Sequence, residues 1–113
     1  MVRTLTLNKQ TEIPIACDLN ALTAAERARR RTLVGALAQA IVGRAELDHG
    51  FELRVDSTEL ELPALAEWIA LERRCCPFLQ FRIELAPGNG PVTVALSGGE
   101  GVKDFLRAEM GLP

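Results

Sequence analysis

Along the chain the spacing of apolar residues changes several times, and each change marks an element. Thr23-Ala-Ala-Glu26 has a hydroxyl at a helix N-cap position and a carboxylate three residues on, the pattern of a capping box. Leu33, Val34, Leu37, Ala38, Ile41 and Val42 then recur at three- and four-residue spacing, which predicts a helix over residues 24–42 with Gly43 as its stop. Asp48-His49-Gly50 reads as a turn in which Gly50 is free to take positive φ. After it, Phe51, Leu53 and Val55 alternate with Glu52, Arg54 and Asp56, as in a strand with one wet face.

Pro63 suits the first position of a second helix, over residues 63–75, with Leu65, Trp68, Ile69, Glu72, Cys75 and Cys76 on one face and Pro77 closing it. Alternation returns in Leu79, Phe81, Ile83 and Leu85, the expected buried set against wet Gln80, Arg82 and Glu84. Pro87-Gly88-Asn89-Gly90 turns the chain into a second alternating strand, Val92, Val94 and Leu96, so the two form a hairpin. A short last helix presents Val102, Phe105, Leu106 and Met110. Near the start, Thr4–Leu7 reads as an edge strand, and Ile13–Cys17, broken by Pro14, as an irregular lead-in to the first helix.

The predicted order is strand, helix, strand, helix, strand, strand, helix. Half-wet strands argue against a doubly wound parallel sheet, whose strands are apolar on both faces. The expectation is one α+β domain over 1–113, a mostly antiparallel sheet of three to four strands with helices packed on one face.

Composition adds mainly exclusions. With 113 residues, 48% hydrophobic and 25% charged, the chain is an ordinary globular domain rather than a disordered tail or fibre. No apolar run approaches the ~18 residues of a membrane span, and Met-Val-Arg-Thr-Leu-Thr is not the start of a signal peptide. A net charge of −2 weighs against a broadly basic nucleic-acid binder. Three cysteines, an odd number, point to a reducing cytoplasm rather than a disulfide scaffold.

Chemistry concentrates in Glu72-Arg73-Arg74-Cys75-Cys76-Pro77-Phe78. Helical spacing brings the Glu72 carboxylate and the sulfurs of Cys75 and Cys76 to one helix end. Glu72 lies on the apolar stripe, where a charge is expensive unless a hydrogen-bond donor, an arginine or a metal satisfies it. Cys17 precedes the first helix and becomes a third thiol if its segment packs beside the second; Glu26 offers a further oxygen. Thiolates select soft or borderline ions, here Zn(II), Cu(I), Hg(II) or As(III). Against this, a helix C-terminus disfavours a thiolate, and Arg73 and Arg74 offset that only if they turn inward. Adjacent cysteines are about 3.8 Å apart at Cα, too close for ordinary disulfide geometry. Free cysteines also pack simply as small hydrophobes.

Cys17, Glu26-Arg27, the Glu72–Phe78 stretch, Phe81 and Ser97-Gly98-Gly99-Glu100-Gly101-Val102 with Phe105-Leu106 together resemble a family of small, uncharacterised bacterial proteins. The Cys-Cys-Pro-Phe stretch is the most specific part, and the resemblance runs over most of the chain from Ile15 onward. Similar domains occur beside or fused to mercury- and metal-responsive regulators, which implies a soft-metal role and no established activity. Gly98-Gly99 stands where relatives often have Gly-Pro.

Other signals are weaker. Arg27, Arg29, Arg30 and Arg31 spread around the first helix as a solvated, salt-bridged face, with Arg30 nearest the apolar stripe. Gly98-Gly99-Glu100-Gly101 lacks the Gly-Lys-Ser/Thr ending of a phosphate loop and reads as a plain connection. Trp68 and Phe78 read as core, and lone His49 has no partner at metal-ligand spacing. The leading expectation is a small cytoplasmic domain that binds a soft metal or metalloid, alone or beside a regulatory partner, rather than an enzyme. The alternatives are a dimerising interaction module with inert cysteines, and a thiol enzyme with a cysteine of depressed pKa.

Overall fold

The computed structural model describes residues 13–111. Its elements are a 3₁₀ turn (Leu19–Ala21), α1 (Ala24–Ala40), β1 (Ile41–Leu47), β2 (Gly50–Val55), α2 (Leu62–Cys75), β3 (Gln80–Leu85), β4 (Val92–Ser97) and α3 (Val102–Met110). The four strands form one antiparallel sheet in the order β1-β2-β4-β3, so the fold is α+β. The expected strand at Thr4–Leu7 lies outside the described residues; Ile13–Cys17 is irregular, as its proline requires.

Both halves of the capping box form at α1: Thr23 Oγ1 accepts from the Glu26 N–H, and the Glu26 carboxylate accepts from the Thr23 N–H. The helix stops at Ala40, short of the expected Val42, and the chain enters β1 without a loop. The Ala40 carbonyl accepts from the Asp56 N–H, and Ile41 pairs with Val55, so pairing with β2 overrides the helical period. A register shift between Ile41 and Gly43 turns Val42 outward, where it is 61% exposed. β1 is the strand that sequence reading misses: Gly43 lies inside it rather than ending a helix.

Along β2 and β4, Phe51 faces Leu96, Leu53 faces Val94 and Val55 faces Val92, and all six are buried. These cross-strand pairs form the sheet's contribution to the core. Gly50 does not adopt positive φ as expected. Its role is close approach: a Cβ there would lie 1.9 Å from the Leu96 carbonyl oxygen. α2 begins one residue earlier than expected, so Pro63 is its second residue, and it buries Leu65, Trp68, Ile69, Leu71, Glu72 and Cys75. The expected buried set of β3 is only half realised. Phe81 packs against the core and edge-on to Trp68, but Ile83 is 39% and Leu85 55% exposed, because β3 is an outer strand whose far end is left uncovered.

Candidate functional site

The C-terminal tip of α2 gathers the cysteines. Cys75 and Cys76 are 0% and 1% exposed, with their sulfurs 3.6 Å apart. The Glu72 carboxylate and these two sulfurs lie within 4.8 Å of one another. The lead-in segment is fastened beside them, where the Asp18 N–H donates to the Cys75 carbonyl at 2.7 Å. This contact brings Cys17 against Cys76, and the two form a disulfide with Cα atoms 4.5 Å apart. The convergence of three sulfurs thus occurs, but two of them are bonded to each other. An odd cysteine count does not exclude one bridge, and the expectation of three free thiols is corrected to one, Cys75. The bridge avoids the adjacent pair because Cys17 arrives from another segment at an ordinary separation.

Glu72 is satisfied twice. Arg30 Nε donates to its Oε1 at 2.8 Å, and Trp68 Nε1, one helical turn earlier, donates to the same oxygen at 3.1 Å. Burial pushes the Cys75 thiol up, the negative charge of Glu72 adds to that, and Arg30 partly opposes it. A neutral, buried thiol is the reverse of what a nucleophile requires.

Glu26 does not join the cluster. Its carboxylate caps α1 and accepts from Arg74 at 2.6 and 3.1 Å, which holds its pKa down at about 2. Arg74 is thereby held by Glu26, and its guanidinium also donates to the Ala21 carbonyl. Arg73 lines a separate groove together with His49, and both arginines stand in the last turn of α2, where their charge complements the helix end. The remaining arginines behave as a salt-bridged face: Arg29 pairs with Glu67, while Arg27 donates to the Leu19 and Leu22 carbonyls. Sequence reading did not assign Arg30 to the site, although its position nearest the apolar stripe was the available signal.

Beside the cluster lies a cavity of about 520 Å³. Cys17, Cys76, Glu72, Arg30 and Glu109 line it together with apolar Leu37, Leu79, Leu96, Phe105, Leu106 and Met110. Comparison with known proteins brings no match, whether by family model, by sequence to a curated protein, or by solved structure. Among the described residues, no helix is long and apolar enough to cross a membrane.

Proposed function

We propose that the reduced protein captures a thiophilic metal or metalloid ion at the tip of α2. Cys75, Cys76 and Cys17 serve as the sulfur ligands, and Glu72 as an oxygen ligand or acceptor beside them. The observation that carries this reading is the cluster of Glu72, Cys75 and Cys76 within 4.8 Å of one another, with Cys17 bonded to Cys76 and both of those sulfurs, with Glu72, lining a cavity. Packing alone requires no carboxylate at that place. A dication or As(III) centre also offsets the negative helix end and Glu72, which otherwise disfavour thiolates. The Cys17–Cys76 disulfide is then the oxidised, closed form, and a reducing cytoplasm would keep the open one.

Anaerobic titration of the phosphine-reduced protein with Hg(II), As(III), Zn(II) and Cu(I) tests the proposal. Binding at one equivalent is expected for at least one of these ions, with a loss of at least about ten-fold in affinity for Cys75→Ser/Cys76→Ser. Equal affinity in wild type and variant ends the idea.

A second reading rests on the uncovered end of β3. Ile83 and Leu85 present apolar surface on an outer strand, which suits pairing with a second copy of the chain. In that case the mass measured by sedimentation rises with concentration, and Leu85→Lys restores a monomer.

A further inference from the structure

A bare ion does not explain the space beside the sulfurs. A dry apolar cavity of about 150 Å³ is already enough for benzene, and this one measures about 520 Å³. Among its lining residues, Leu19 and Val34 are 44% and 39% exposed. Of the three cysteines, only Cys17 and Cys76 line it; Cys75 sits behind Cys76, outside the lining. Two sulfurs lining a largely apolar chamber satisfy two of the three valences of arsenic(III) and leave the third for a substituent beside Leu37, Leu96, Phe105 and Leu106.

We infer that the ligand of this site is an organic arsenic(III) species, with its arsenic on Cys17 and Cys76 and its substituent, an aryl group for preference, in the cavity. The inference rests on the thiophilic reading above and narrows it to a substrate class. The chemistry balances without any change at arsenic. A thiol reductant first delivers two electrons and two protons to the Cys17–Cys76 disulfide. The two thiols then condense with R–As(OH)₂: two As–O bonds break, two As–S bonds form, and two waters leave carrying the thiol protons. The As–C bond stays intact. Inorganic arsenite has no substituent for the chamber and takes a third sulfur, for which it must recruit Cys75.

Calorimetric titration of the phosphine-reduced full chain with phenylarsonous acid, methylarsonous acid and arsenite tests this, with a small-molecule dithiol titrated in parallel. The phenyl-over-methyl preference of the protein is expected to exceed that of the free dithiol by about ten-fold or more, since only the protein buries the ring. Val34→Trp, at a half-exposed lining position, is expected to fill the chamber, remove that excess and leave methylarsonous acid unaffected. Cys75→Ser is expected to weaken arsenite and spare the phenyl compound. A phenyl preference equal to that of the dithiol, or one that survives Val34→Trp, overturns the inference while capture of inorganic ions by the cysteines still stands. Failure of all three arsenicals together with Hg(II), Zn(II) and Cu(I) overturns both.

Discussion

Glu72 is where sequence and structure meet most closely at the scale of single residues. Its place between Ile69 and Cys76 required a partner, and hydrogen-bond chemistry restricted that partner to a donor or a cation. Which cation was not legible, because Arg30 is distant in sequence and α1–α2 packing decides the pairing. Arg30→Met leaves the buried carboxylate without its charge partner and is expected to lower unfolding free energy by about 3 kcal/mol. Arg30→Met/Glu72→Leu should recover most of that loss in urea denaturation, since an apolar pair removes the stranded charge. A loss in the double variant as large as in Arg30→Met contradicts this account. Glu26 makes the complementary pH argument. Its folded pKa, about 2, lies below the ordinary value of 4.5, so its contribution is present above about 4.5 and is lost as pH falls towards 2. Glu26→Gln is therefore expected to flatten the acid side of the stability profile over that interval, with little change in its shape at neutral pH.

Among the elements, those with a clean period were legible and those decided by neighbours were not. α2, β2 and β4 stand close to where alternation and helical spacing put them, because each buries its own apolar face. β1 has no alternating pattern: on the face it shares with Phe51 and Leu53 it carries Glu46 and Arg44. Glu46 there meets Lys103 and Arg107 of α3, while the same two cations lie over the Phe51 ring. Apolar Ile41 and Val42 prolong the helical period of α1, so only the pairing with β2 reveals where the strand begins. Gly50 also was legible as a glycine position but not for its reason. Its missing side chain lets β2 approach β4, so Gly50→Ala must shift backbone rather than a flexible side chain. We expect a loss of about 2–3 kcal/mol, typical of enforced overpacking, measured by thermal or urea unfolding. A near-neutral result would mean that this end of the sheet yields easily.

For the whole molecule, the decisive tie is the one that cysteine counting argued against. Composition pointed to an ordinary globular chain, and counting could not show that one of three sulfurs belongs to a lead-in segment docked on α2. Cys17 and Cys76 are separated by 59 positions, so their bond closes most of the chain from the lead-in through α1, β1, β2 and α2 into one loop. Loop-closure entropy assigns such a link about 4 kcal/mol through restriction of the unfolded chain. The same fastening is held without sulfur chemistry by the Asp18 N–H on the Cys75 carbonyl and by Arg74 on the Ala21 carbonyl. Reduction should therefore loosen the lead-in and lower stability without dissolving the sheet, whose core pairs do not involve Cys17. Alkylation of the denatured, unreduced protein is expected to modify one cysteine, and all three after reduction. In urea, the midpoint should fall on adding phosphine to wild type and stay put for Cys17→Ser, which begins at the lower value. If wild type is insensitive to phosphine and shows three reactive thiols from the outset, the bridge is not part of the protein as purified, and the sulfur cluster starts in its open form.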